Sequence, residues 1–249
     1  NEYREQLQLE IEDIGKASPE KHAEYGFELE KLIPSTRNNV SQMWRELAKI
    51  IKGMTNSHLK ALISEIYRKN AETIKSHPAS MKLHHAWLGG FLEHVLSMAQ
   101  IGVELGEHYE IDTDLLLTGI MLHDIGKLEE LNPAQRPGYT DRGKLLGHIT
   151  IGRDIAREVM ATLEDFPVDL QLKVEHMILS HQGRYEYQSP KQPKFKEALL
   201  LHYIDELDAR MNMMDEAMEK DGESGAWTNR FNYFRIPLLK GDLEESSES

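Results

Sequence analysis

The sequence predicts an all-α protein, a helical bundle preceded by a single strand. Three observations carry this. From about residue 38 onward, apolar residues recur at the three- and four-residue spacing of helices. Only Gln6-Leu7-Gln8-Leu9-Glu10-Ile11-Glu12 alternates strictly between polar and apolar, the strand period, and no partner strand follows it. A His-Asp pair, His123-Asp124, closes the most apolar stretch, and other histidines are spread over the neighbouring helices. Facing helices that each donate a ligand are how bundles build metal sites.

Each element is justified in order. One strand cannot stand alone in water, so 6–12 is expected to be the last strand of a β-rich domain upstream. The opening Asn, in place of Met, suggests a fragment or processed chain. Gly15, Ser18, Pro19, Gly26 and Pro34 make the following stretch a linker, so 1–36 is read as domain remnant plus linker. The helical domain is expected over 37–235. Val40, Met43, Trp44, Leu47, Ile50 and Ile51 form its first stripe. Leu59, Leu62, Ile63, Ile66, Tyr67 and Ile74 form a second, closed by His77-Pro78. A third helix is predicted from about Trp87 to His108, with Phe91, Val95, Met98 and Gly102 on one face. Asp112 reads as the N-cap of a fourth, which runs into His123-Asp124. Gly126 then stands where a helix C′ residue would. Pro133, Pro137 and Gly138 mark a loop over 128–142, and helices follow at about 144–165, 168–181 and 194–220, about seven in all. The aromatic tail (Trp227, Phe231, Tyr233, Phe234) reads as anchored on the core rather than as a stacking platform, and 236–249 as an acidic disordered end.

Composition narrows the function classes. The chain has 249 residues, no cysteine and twelve histidines, so disulfides, thiolate ligands and a cysteine nucleophile are excluded, and any metal must be held by His, Asp and Glu. No apolar run approaches a membrane span and no signal-peptide pattern opens the chain; a cytoplasmic protein is expected. Net charge is −13, which opposes nucleic-acid binding. Residues 1–30 hold −6 of it and 242–249 hold −4, leaving −3 on the body, which can still carry a local basic groove.

Burying Asp124 beside His123 is costly unless both are paired or bind a metal. His94 lies mid-helix among apolar residues, His148 opens a helix, His181 closes another, and Asp205 sits mid-helix. One such histidine is ordinary core; this many from different helices points to two divalent ions bound by imidazole and carboxylate. His94, His123, Asp124 and Asp205 are assigned to the first ion. His148 and His181 take the second, with Asp124 bridging and His176 the competitor for the place of His181. Mn²⁺ is expected, and Fe, Co, Ni or Zn suit the same ligands. Lys127 either neutralises phosphoryl charge or offsets a helix dipole. His84 and His85 either contact substrate phosphate, support the ligands, or serve as cap and core residues. Arg184, Lys191, Lys194 and Lys196 share a loop with Tyr185 and Tyr187, a pattern that suits single-stranded nucleic acid as well as a solvated loop.

The order His94 … His123-Asp124 … Asp205 resembles the HD-domain superfamily of metal-dependent phosphohydrolases, and His148 and His181 are similar to its two-metal members. His84-His85-Ala86-Trp87-Leu88-Gly89-Gly90 up to His94, Leu122-His123-Asp124-Ile125-Gly126-Lys127, Gly143-Lys144-Leu145-Leu146-Gly147-His148 and Leu179-Ser180-His181-Gln182-Gly183 narrow the resemblance to bacterial YhaM-type 3′–5′ exoribonucleases. So do Ser189-Pro190-Lys191 and the run from Ile204-Asp205-Glu206 to Met213. The likeness covers roughly 38–235. It implies an HD helical bundle, an oligonucleotide-binding (OB-type) β-barrel whose last strand is 6–12, and metal-dependent hydrolysis of single-stranded RNA (or DNA) to nucleoside 5′-monophosphates. Two alternatives stand beside it. One is an HD-type nucleotide or cyclic-dinucleotide phosphohydrolase, the latter disfavoured because Gly183-Arg184-Tyr185 lacks a Gly-Tyr-Pro signature. The other is a non-catalytic RNA- or nucleotide-binding module with a structural metal. Either a monomer or a homo-oligomer is compatible with the sequence.

Overall fold

The computed structural model describes residues 2–3, 6–7, 19–22, 34–81, 85–132 and 138–241. The chain divides into two compact units, 1–34 and 35–249. In the first, β1 (Glu2–Tyr3) pairs antiparallel with β2 (Gln6–Leu7), Glu2 opposite Leu7, and a short α1 spans Pro19–His22. Gln6 and Leu7 thus find a partner in the residues just before them, and 8–12 lie outside the described residues.

The second unit holds seven helices of ten residues or more among the described residues: α2 (Val40–Gly53), α3 (Ser57–Lys69), α5 (Gly90–His108), α6 (Thr113–Leu122), α8 (Asp141–Met160), α9 (Val168–Ser180) and α10 (Lys196–Glu219). Side-chain caps start several of them: Asn39, Asn56, Asp112 and Thr140 each accept a hydrogen bond from a first-turn amide. The predicted second helix is broken at Asn70, whose backbone (φ −111°, ψ 14°) separates α3 from a short α4 (Ala71–Ser76). α5 begins at Gly90, later than predicted, because Gly89 holds a left-handed φ of 80°. The stretch read as a loop after Lys127 contains α7 (Lys127–Glu130) and a hairpin of β3 (Leu131–Asn132) and β4 (Gly138–Tyr139).

α6 is the axis of the bundle. Every residue from Leu115 to Leu122 is buried, and α3, α5, α9 and α10 all pack on it. The buried Tyr67 hydroxyl donates to the Met121 carbonyl (2.9 Å), and Asp114 accepts three hydrogen bonds from Thr55 and Asn56. A helix so completely enclosed must deliver whatever lies at its C-terminus into the interior. Residues 236–241, expected to begin a disordered end, are instead part of the fold: Leu238 is buried and its amide donates to Thr228 Oγ1 (2.9 Å). Residues 242–249 lie outside the described ones. No helix among the described residues is long and apolar enough to cross a membrane.

Candidate metal centre

His123 caps the C-terminus of α6, and Asp124 follows in the turn to α7. Helix C-termini leave carbonyls unsatisfied, and His123 uses one, Nδ1–H donating to Ile120 O at 2.8 Å. His181 does the same at the end of α9, donating from Nδ1 to Ile178 O at 2.8 Å. Both Nε2 lone pairs therefore face the cluster. His94, mid-way along α5, donates from Nδ1 to Asp208 Oδ2 at 2.7 Å. His148 has Nδ1 3.3 Å from Glu130 Oε2. In all four imidazoles an acceptor behind the ring holds Nδ1 and directs Nε2 forward, the arrangement by which metal-binding histidines are oriented.

Forward of the rings, Asp124 Oδ2 is 3.3 Å from His123 Nε2, and Asp124 Oδ1 is 3.4 Å from His148 Nε2 and 3.7 Å from His181 Nε2. Asp205 Oδ1 lies 3.4 Å from His94 Nε2 and 3.8 Å from His123 Nε2. The structure thus brings together His94, His123, Asp124, His148, His181 and Asp205. Two groups of donor atoms, His94/His123/Asp124 and Asp124/His148/His181, each lie within 4.8 Å of one another and share Asp124. His176 lies elsewhere: its Nε2 accepts the Lys194 amide at 3.1 Å.

The donor set fits a divalent cation on physical grounds. Among the described residues, His123 Nε2, His148 Nε2 and Asp124 Oδ1 are buried without a hydrogen-bond partner, at a cost of roughly 1–3 kcal/mol each. Acceptors that converge on one another are satisfied together by a cation, and nitrogen plus carboxylate oxygen is the set for borderline to hard metals. Burial, with the neighbouring His123, pushes the His181 imidazole down to about 3, so it stays neutral and able to ligate. Burial opposes the charged forms of Asp124 and Asp205, yet their neighbours outweigh it: Lys127 and His123 hold Asp124 down, and His123 and His94 hold Asp205 down. Lys127 Nζ is 2.6 Å from Asp124 Oδ2, and despite burial this pairing raises its pKa, so the ammonium keeps its charge.

Local backbone needs explain the glycines. Gly126 is not a left-handed C′ residue: its φ is −65° and it opens α7. What it supplies is close approach, since a Cβ there would sit 2.0 Å from His148 O and 2.6 Å from Gly152 N. Gly147, with φ 71°, kinks α8 so that His148 starts a new segment. The His148 amide donates to Glu130 Oε1 at 2.9 Å, a carboxylate at a helix N-terminus.

Of the other predicted site residues, Lys127 lines a cavity of about 250 Å³ floored by Asp124, His202 and Asp205. His85 lies behind His94 and away from that cavity, its backbone left-handed (φ 47°) and its Nε2 donating to Asp208 Oδ2 at 3.1 Å. His84 lies outside the described residues. Arg184 and Lys191 are exposed, with the Arg184 guanidinium 5.9 Å from the Tyr187 ring. Sequence reasoning missed Asp208 and Glu130. Asp208 could have been found from its place one turn beyond Asp205 on α10.

Comparison with known proteins adds the relatives. The HD domain family matches residues 91–210, which contain all six clustered residues. A second family, described as a putative helicase, matches residues 33–115 and includes only His94 of them. The 3′–5′ exoribonuclease YhaM of Shouchella clausii is 38% identical over 222 residues, 88% of this chain and 67% of that protein. The Bacillus subtilis protein of the same name is 36% identical over 231 residues, 92% of this chain and 71% of its own length. The chain belongs to the YhaM family. HD domains imply use of divalent metal, and this YhaM-family chain has histidine–carboxylate clusters that could hold such ions. No solved structure matches the chain.

Proposed function

We propose that this chain is a metal-dependent 3′–5′ exoribonuclease acting on single-stranded RNA in the cytoplasm, with two divalent ions, Mn²⁺ foremost. The observation that supports it most is the pair of donor groups meeting at Asp124, where His123 Nε2, His148 Nε2 and Asp124 Oδ1 have no hydrogen-bond partner among the described residues. Its relatives are named 3′–5′ exoribonucleases. His94, His123, Asp124 and Asp205 would hold one ion, and Asp124, His148 and His181 the other. Bound there, the ions would polarise a phosphoryl oxygen and lower the pKa of an attacking water toward neutrality.

The chain's own residues supply the rest. Asp208, Glu130 and two helix-terminal carbonyls fix four imidazoles before substrate arrives, so little reorganisation is needed at reaction. Lys127 keeps its ammonium in the cavity, where it offsets charge gathering on the phosphoryl group. Water oxygen bonds to phosphorus as the bond from phosphorus to the upstream 3′ oxygen breaks. The shortened RNA keeps a 3′ hydroxyl, and the released residue is a nucleoside 5′-monophosphate.

The test is a 5′-labelled single-stranded RNA incubated with Mn²⁺, with and without chelator, beside an Asp124→Ala control. A metal-dependent ladder shortening from the 3′ end, absent in the control, is expected. Hydrolysis of bis-p-nitrophenyl phosphate without any ladder would move the substrate to a small nucleotide. Silence on both, with metal bound, would leave a binding module.

A further inference from the structure

The cavity over Asp124 and Asp205 has a rim that the metal chemistry does not use. Tyr187, from the 3₁₀ turn Tyr185–Tyr187, and Tyr233, from the segment after α10, both line it, and they are 43% and 53% exposed. Arg210 lines the same cavity. Neither ring sits there by chance of a loose chain end. Residues 221–240 are closed into a loop: Asp221 accepts from the Asn229 amide (2.9 Å) and pairs with Lys240 (2.8 Å), and Thr228 N donates to Leu238 O (2.8 Å). Within it, Asn232 Nδ2 donates to Ile236 O at 2.7 Å, bracketing Tyr233. On the other side, the Arg184 guanidinium covers Tyr187.

We propose that Tyr187 and Tyr233 form a base-stacking gate for the 3′-terminal nucleotide of single-stranded RNA, a reading that rests on the exoribonuclease function proposed above. Asp124, Asp205 and Lys127, which line the cavity, are chemistry for a phosphodiester rather than for a base. The two phenol rings at the mouth are flat, amphipathic and half exposed, and any base can stack on them irrespective of sequence. At about 250 Å³ the cavity is below the roughly 300–1,000 Å³ of drug-sized pockets. A cavity of that size has room for the terminal phosphodiester and leaves the base at the rim, against the two rings.

The test is a cycle between protein and substrate on the full chain with Mn²⁺. Two RNAs differ only in whether the 3′-terminal residue carries a base or is abasic, and KM is measured for wild type, Tyr187→Ala, Tyr233→Ala, the double variant and the two Tyr→Phe variants. Wild type is expected to prefer the base-bearing end by roughly ten-fold or more, the range of one base–aromatic stack. Each Ala variant should reduce that preference and the double variant abolish it, whereas the Phe variants retain it. Because both rings are half exposed, thermal melting should show all variants folded. Double-Ala protein that shortens RNA with undiminished preference for the base-bearing end would overturn the gate alone. Wild-type protein that hydrolyses bis-p-nitrophenyl phosphate but never shortens RNA would overturn the exoribonuclease reading, and the gate with it.

Discussion

Asp208→Asn is the sharpest probe of the metal centre, because Asp208 touches no proposed ion. Its Oδ2 accepts from His94 Nδ1 at 2.7 Å and from His85 Nε2 at 3.1 Å, and its Oδ1 accepts from the Ser97 hydroxyl. Burial alone would raise this carboxyl, but the bonds from His85 and His94 hold it below the usual range. As a carboxylate it can only accept, so the Nδ1 of His94 must donate, and once the ring is neutral, as metal binding requires, its Nε2 faces Asp205 as a lone pair. An amide at 208 can turn its NH₂ toward His94, which reverses the tautomer and places the proton on the ligating nitrogen. Losing such a supporting partner costs 10- to 100-fold in metal affinity, about 1.4–3 kcal/mol. Calorimetric titration of chelator-treated protein with Mn²⁺ should show wild type binding in two events. In the variant, the event belonging to His94, His123 and Asp205 should weaken by that factor while the one belonging to His148 and His181 persists. A folded Asp208→Asn protein with the wild-type isotherm would refute the reasoning.

Two more expectations follow from the same geometry. Burial disfavours the imidazolium of His94, but hydrogen bonds to Asp205 and Asp208 and their charges outweigh it and raise the group to about 9 from 6.5. A raised folded-state pKa gives metal-free protein a stability that is fully present below pH 6.5 and is lost as pH rises through about 9, up to about 3 kcal/mol. Urea denaturation in chelator from pH 6 to 10 checks this, and a flat profile would contradict it. Gly126→Ala places a Cβ against two backbone atoms, His148 O and Gly152 N, that cannot move as a side chain could. A loss of about 1–3 kcal/mol is expected in chemical denaturation, and an unchanged midpoint would show that α7 and α8 have room to part.

The helices and the six clustered residues were legible because burial leaves a mark in sequence. His94, His123, His148, His181 and Asp205 stand out as polar residues in apolar surroundings, each on a different element. Residues that support them from behind leave no such mark. Glu130 follows Lys127-Leu128-Glu129 and reads as one more solvated charge, yet it is buried and holds His148 by both ring and amide. Asp208 reads as a surface acid until the pitch of α10 is set against α5, where it meets His94. Breaks at single residues were equally hidden: Asn70 interrupts a stripe whose apolar period continues unbroken through Ile74.

The tail shows the reverse error. Trp227, Phe231, Tyr233 and Phe234 read in sequence as one aromatic group anchored on the core, whereas Phe231 is 88% exposed and Tyr233 lines the cavity that holds Asp124 and Asp205. What separates them is the Asp221–Lys240 pair and the Thr228–Leu238 bridge, contacts between residues ten to nineteen positions apart. Periodicity cannot register such contacts, because it reports only which face of a regular element is dry. A residue placed by loop closure acquires its neighbours from the ends of the loop, and Tyr233 comes to line the same cavity as Asp124, Lys127 and Asp205.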